Sequence, residues 1–273
     1  MLNPQTQDFS PHKSLNSKSN FLYKMIVAPF LFVTDLDHTL VGDDFAHEQL
    51  NRWLLTQRAQ GSKIVYSTGR SRVRYQELAQ EAPLFEPDIL IASVGTEIYH
   101  TLNDAPDPAW SEHLTPNWDR DRIVATTAHF ADLVPQANSE QCPFKVSFLL
   151  TEEAAIGVLP QLDQLLKQQD LDVQLIYSSG KDLDILPRHA NKGAAMAFIR
   201  ETLGFEPDRT IVCGDSGNDI ALFAAGSERG IIVGNAQPEL LGWHRHHPST
   251  VRYLATAHCA AGILEGLQHF GFL

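Results

Sequence analysis

Two carboxylates, Asp35 and Asp37, stand one leucine apart at the end of the apolar run 30–33 in the stretch FLFVTDLDHTL. An apolar run without polar alternation reads as a strand buried on both faces, and ligands of open α/β sheets gather beyond the carboxyl ends of such strands. If strand geometry persists through Asp37, the period of two turns both carboxylates toward one spot. Two like charges that close are either solvated or share a cation or a proton. An Asp-x-Asp at a strand end also serves as a metal site in some glycosyltransferases, so the pair alone leaves the reaction open.

Three further segments narrow it. GDSGND carries Asp215 and Asp219 four residues apart, the spacing of neighbours on a helix, directly after the apolar run TIVC. Asp215 suits direct ligation of Mg²⁺ and Asp219 the support of that site from behind; capping of a helix by Asp215 is the purely structural alternative. Asn218 can donate to phosphate. Thr68 lies between a strand and a helix start, where a hydroxyl and backbone N–H groups can hold phosphate oxygens or simply cap the helix. Lys192 opens a helix, where its charge opposes the dipole, and so unfavourable a placement suggests a use: a point charge holding phosphate and a nucleophile. The four segments together supply what phosphoryl transfer requires, with Asp35 to attack phosphorus and Asp37 to move protons.

The elements that must position these residues follow a βαβαβ pattern, with strands at 30–33, 63–67 and 88–94 and helices between, which implies a parallel sheet. Asp43 or Asp44 can cap the first of those helices. Residues 101–118, with Pro106, Pro108 and Pro116, read as a linker. From 119 to 186 the texture changes to half-polar strands and two helices, 119–133 and 152–168, as expected of an antiparallel sheet with one wet face. The buried-strand pattern then resumes. The expected fold is α/β: a Rossmann-like parallel-sheet core built from 25–104 and 187–273, with an α+β cap domain, 105–186, inserted between. Lys145, Lys181, Asp182 and Asp184 of the cap could face the core and meet sugar hydroxyls, or form an exposed charged hairpin; Glu97, in VGTEIY, is comparable. The run WHRHHP (243–248) collects histidines without a completing carboxylate or cysteine and reads as a surface loop.

The 273 residues hold 33 acidic and 21 basic side chains, a formal charge of −12, the wrong sign for a nucleic-acid binder and the right one for a cation. Three scattered cysteines argue against a disulfide framework and for a reducing cytoplasm. No stretch approaches the roughly 20 apolar residues of a membrane span. The first 24 residues read as a mobile tail, with Met25 an alternative start that would lose no fold element.

DLDHTL, STGR, the lysine of NKG and GDSGND resemble the four motifs of the Mg²⁺-dependent phosphohydrolases of the haloacid dehalogenase superfamily. More closely, from about residue 32 onward the chain resembles the sucrose-phosphate phosphatases of cyanobacteria and plants through VGTEIYH, PFKVSF, SSGKDLDILP, CGDSGNDIALF and VGNAQPELL. That resemblance implies hydrolysis of sucrose 6-phosphate, Asp35 as nucleophile and Asp37 as acid and base. It implies Mg²⁺ held by Asp35, the Asp37 carbonyl and Asp215 with Asp219 in support, and phosphate held by Thr68, Gly69, Asn218 and Lys192. Sugar contacts would fall to Glu97, Lys145, Lys181, Asp182 and Asp184. The expected partner is a small-molecule sugar phosphate, with sucrose-phosphate synthase a further candidate, and the expected state a monomer in the cytoplasm; the extra C-terminal domain of the plant enzymes has no counterpart in these residues. The rival expectations are a phosphatase of the same superfamily acting on another sugar phosphate, and an inactive sugar-phosphate-binding partner of the synthase.

Overall fold

The computed structural model describes residue 1, residues 28–102 and residues 104–273. The tail and Met25 lie outside the described residues. In chain order the first elements are β1 (Leu31–Thr34), α1 (Asp44–Arg58), β2 (Lys63–Ser67), α2 (Arg72–Glu81), β3 (Ile89–Ala92), β4 (Glu97–Tyr99) and α3 (Pro108–Leu114). There follow α4 (Arg120–Thr127), β5 (Val134–Pro135), β6 (Val146–Leu149), α5 (Glu152–Gln168), β7 (Val173–Ser178) and β8 (Asp182–Pro187). The chain closes with α6 (Lys192–Leu203), β9 (Thr210–Gly214), α7 (Ile220–Ala224), β10 (Arg229–Ile232), α8 (Pro238–His246), β11 (Arg252–Leu254) and α9 (Cys259–His269).

The large sheet runs β11-β10-β9-β1-β2-β3-β4, parallel throughout except for β4. β1 is central because its four residues are apolar or fully buried on both faces. Phe30 and Phe32 pack with Leu50, Leu54, Tyr75, Ile263 and Leu267 on one side. Leu31 and Val33 pack with Met196, Ile199, Leu222 and Leu240 on the other. The chain order reverses at β1, with β2 on one side and β9 on the other, and side chains just past β1 and β9 therefore converge in the crevice where such sheets bind ligands.

The small sheet, β5-β6-β8-β7, is antiparallel. Its period of two separates Val146, Phe148, Leu183 and Ile185, buried against Leu162 and Leu166 of α5, from Lys145, Ser147, Asp182 and Asp184 on the other face. One face makes a core; the other is polar.

The stretch read as a Pro-rich linker contains α3. Pro108 sits in the first turn, where a missing N–H costs nothing, and the Asp107 side chain accepts from the Trp110 N–H as the cap. Trp110 and Leu114 are buried with the large sheet, and Trp110 Nε1 donates to Gly95 O at 3.0 Å. The packing therefore carries the large-sheet unit through Leu114, past the expected boundary at 104. The helix expected at 119–133 ends at Thr127, and β11 and β5 were not foreseen. Among the described residues no helix is long and apolar enough to cross a membrane.

Candidate active site

Asp35 is the first residue beyond β1, held by its backbone N–H on Cys213 O at 3.0 Å. β1 stops at Thr34, so strand geometry does not persist to Asp37, and the two carboxylates take different partners. Asp35 turns inward to join Asp215 and Asp219, the three offering carboxylate oxygens within 4.8 Å of one another. Asp37 is turned aside: Arg70 Nε and Nη2 donate to its two oxygens, each at 2.7 Å, in a forked ion pair.

Lys192, 0% exposed, lies between the inner carboxylates, its Nζ 2.6 Å from Asp35 Oδ1 and 2.6 Å from Asp219 Oδ1. Burial alone would push this lysine down; the charges of Asp219 and Asp35 outweigh it and hold the ammonium well above its ordinary value. The other oxygen of Asp219 accepts from the backbone N–H groups of Asp215 and Ser216, both at 3.0 Å. Asp219 thus braces Lys192 and the loop that carries Asp215. Asp215 receives a hydrogen bond from Thr39 Oγ1 at 2.9 Å.

Three buried carboxylates face one buried ammonium. Burial raises the Asp35 carboxyl to about 7, with Lys192 opposing and Asp219 adding to the rise. Burial also raises Asp215 to about 8, with Asp35 and Asp219 adding to it. A group set so reluctant to ionise lacks positive charge, and its all-oxygen chemistry suits a hard divalent cation. Asp35 and Asp215 are the residues with oxygens to spare.

These residues floor a cavity of about 580 Å³ whose wall includes Asp35, Asp37, Gly69, Arg70, Asp215 and Asn218. Thr68, Lys192 and Asp219 are fully buried behind that wall. Thr68 Oγ1 accepts from the Arg70 N–H at 3.1 Å, which leaves the Gly69 backbone presented to the cavity. The opposite wall is the polar face of the small sheet, with Lys145, Lys181, Asp182 and Asp184. Lys145 Nζ spans both units, 3.6 Å from Asp184 Oδ1 and 3.5 Å from Gly69 O. Ser147 Oγ donates to Asp184 Oδ1 at 2.5 Å, and Gln136 Nε2 to Asp182 Oδ1 at 3.0 Å. These fixed carboxylates still have lone pairs for hydroxyl donors.

Glu97 is not brought to this cavity. Ser93, Val94 and Gly95 take three successive positive φ values, 52°, 60° and 94°, and the tight turn folds Glu97 back so that it accepts from Ser93 Oγ at 3.0 Å. The turn serves the site differently. A Cβ on Gly95 would fall 2.3 Å from the carbonyl carbon of Asn191, the residue whose side chain caps α6 and precedes Lys192. Gly95 thus sets where the Lys192 helix begins. Gly95→Ala adds both a left-handed strain and a clash with backbone, and is expected to lower unfolding stability by about 3 kcal/mol in urea titrations, with turnover falling alongside.

Arg70, Thr39, Gln136 and Ser147 also escaped the sequence reading. Arg70 stood inside STGR, and its fork matching a nearby carboxylate was the available signal. The run 243–248, expected as a surface loop, is helical through His246 as the last turn of α8.

Buried carboxylates braced by a lysine, gathered at the switch point of a parallel sheet, place the chain in the haloacid dehalogenase superfamily. Solved structures of that type at 16–18% identity, with TM-scores of 0.62 and 0.63, share the fold and speak for the fold alone. Within it, the chain belongs to the sucrose-6F-phosphate phosphohydrolase family, whose profile matches residues 28–271. It is 41% identical to sucrose-phosphatase 2 of Nicotiana tabacum over 256 residues, covering 89% of this chain and 59% of that protein, so the chain spans less than two thirds of the tobacco relative. The mannosylfructose-phosphate phosphatase of Agrobacterium fabrum strain C58 is 35% identical over 242 residues, covering 88% of this chain and 96% of that one. The sucrose-phosphatase from Synechocystis sp. PCC6803, solved in complex with sucrose and phosphate, is 43% identical with a TM-score of 0.84, covering 89% of this chain and 98% of that one.

Proposed function

We propose that this chain is a Mg²⁺-dependent phosphatase that hydrolyses sucrose 6-phosphate to sucrose and phosphate through an aspartyl phosphate on Asp35. The observation that carries the reading is Asp35 held by Lys192 at the floor of a cavity whose far wall is a polar, carboxylate-bearing sheet face. The likeness to a sucrose-phosphatase that binds sucrose and phosphate supports the choice of sugar.

Asp35 attacks phosphorus while Lys192 fixes its carboxylate. Asp37 gives a proton to the departing sugar alkoxide and takes one from the water that later cleaves the aspartyl phosphate. To do so it exchanges at least one of its two Arg70 hydrogen bonds for the reacting oxygen. Gly69 and Asn218 supply N–H groups for phosphate, and Lys145, Lys181, Asp182 and Asp184 supply the sugar-facing polar groups. Mg²⁺, held by Asp35, the Asp37 carbonyl and Asp215, would offset the charge of the carboxylates and of the transferring phosphoryl group.

Metal dependence has a stability signature that needs no substrate. Asp35 and Asp215 have folded values raised above the ordinary 3.8, so each favours the folded metal-free protein below about pH 4 and loses that contribution as pH rises through about 7 and 8. Thermal melts in chelator against Mg²⁺ are therefore expected to show a gain that grows from pH 5.5 to pH 8. At a concentration a hundredfold above Kd it amounts to about 2.7 kcal/mol. A gain independent of pH would contradict the assignment of Asp35 and Asp215 to the metal.

A further inference from the structure

Glu239 lies in the first turn of α8, where an acidic residue ordinarily serves its own helix. Here it serves two other segments. Its Oε1 accepts from the Ser179 N–H at 2.9 Å and from the Gly217 N–H at 3.3 Å. Ser179 is the tip of the β7–β8 hairpin, whose three-residue loop, 179–181, holds Ser179 and Gly180 at positive φ values of 54° and 65°. That hairpin carries Lys181, Asp182 and Asp184 to the cavity. Gly217 belongs to the loop that carries Asp215, Asn218 and Asp219.

The seam at this point is tight. A Cβ on Gly217 would stand 2.9 Å from Tyr177 O at the end of β7 and 2.9 Å from Glu239 Cγ. The start of α8 is itself anchored to the large sheet, since the Gln237 N–H donates to Asp215 O at 2.7 Å. Glu239 is therefore fixed on the reacting side, and Ser179 is what it catches. On the opposite side of the cavity Arg74 Nε meets Glu140 Oε1 at 3.1 Å.

We infer that Glu239 is a positioning residue, a clasp that sets the sugar-facing hairpin in register with the loop bearing the metal and phosphate groups. The inference rests on the sugar-phosphatase reading for its kinetic consequence but not for its structural one. Glu239 touches neither substrate nor the reacting atoms; it is absent from the cavity wall. Its effect falls on how well the sugar ring is held while phosphorus is attacked, where small displacements cost rate.

The test compares Glu239→Ala with Glu239→Gln, whose side-chain oxygen still accepts both N–H groups. Kinetics on sucrose 6-phosphate and on p-nitrophenyl phosphate, which has no sugar to hold, are paired with hydrogen–deuterium exchange of the peptide 177–181. Glu239→Ala is expected to lose about tenfold in kcat/KM on the sugar ester, mostly through KM, and at least about fivefold less on p-nitrophenyl phosphate. Exchange at the hairpin tip should quicken in the same variant, and Glu239→Gln should restore both. Equal losses on the two esters, or unchanged exchange, would overturn the clasp. Quickened exchange in a protein whose wild type spares sucrose 6-phosphate would instead remove the substrate reading and leave the clasp standing.

Discussion

Asp35→Asn is expected to abolish phosphate release, by about 10⁴-fold or more, while leaving the fold intact. The amide is nearly the shape of the carboxylate, and its oxygen can still accept the Lys192 hydrogen bond now made at 2.6 Å. What it loses, in the proposed mechanism, is the attacking group. It also removes one of three carboxylates that crowd within 4.8 Å. Because burial and Asp219 already raise the Asp35 carboxyl to about 7, its ionised form opposes folding at neutral pH in the absence of metal. The metal-free variant should therefore melt at or above the wild-type temperature at pH 8. Turnover within tenfold of wild type would deny Asp35 its role, and a collapsed melt would make the loss structural rather than chemical.

Lys192→Met should act in the opposite sense on stability. Lys192 is fully buried between Asp35 and Asp219, and its removal leaves carboxylates with no cation of the protein's own. Breaking one side of a buried charge network typically costs about 3–5 kcal/mol, and that is the loss expected in chelator at pH 8. The deficit should shrink toward pH 5, where protonation of Asp35 and Asp215 relieves the unpaired charge, and Mg²⁺ should recover part of it. Urea titrations at the two pH values measure this directly. Turnover should fall with Lys192 even where Mg²⁺ restores the fold, since Asp35 is then no longer fixed. A variant as stable as wild type at pH 8 in chelator would show that Lys192 is not what holds these carboxylates together.

Lys192 was legible in the sequence because a lysine at a helix N-terminus runs against the dipole. Asp215 and Asp219 were expected as neighbours on a helix; they stand instead in the loop between β9 and α7, where the Asp215 N–H donates to the Asp219 carboxylate. The parallel order of the large sheet followed from apolar runs with no alternation, and the wet face of the small sheet from strands that do alternate. What stayed hidden depends on turns and on pairs distant in sequence. Glu97 looked like a sugar contact because its motif is polar and near the site; three consecutive left-handed residues turn it onto Ser93 instead. Asp37 looked parallel to Asp35 because strand periodicity was carried past Thr34; the fork of Arg70, 33 positions away, decides its direction. Three prolines concealed α3, since the same residue that breaks a helix interior is welcome in its first turn. β11, at the sheet edge and only partly buried, lacks the apolar signature of the central strands.

In the proposed function the small-sheet unit chooses the sugar, and the sugar chosen is sucrose. The direct measurement is kcat/KM of the purified chain, with Mg²⁺ and with chelator, on sucrose 6-phosphate, mannosylfructose phosphate, trehalose 6-phosphate and glucose 6-phosphate. Release is expected to require Mg²⁺ and to favour sucrose 6-phosphate by about tenfold or more over each of the others. An equal or higher value on mannosylfructose phosphate or another ester, or no release from sucrose 6-phosphate at all, would contradict it.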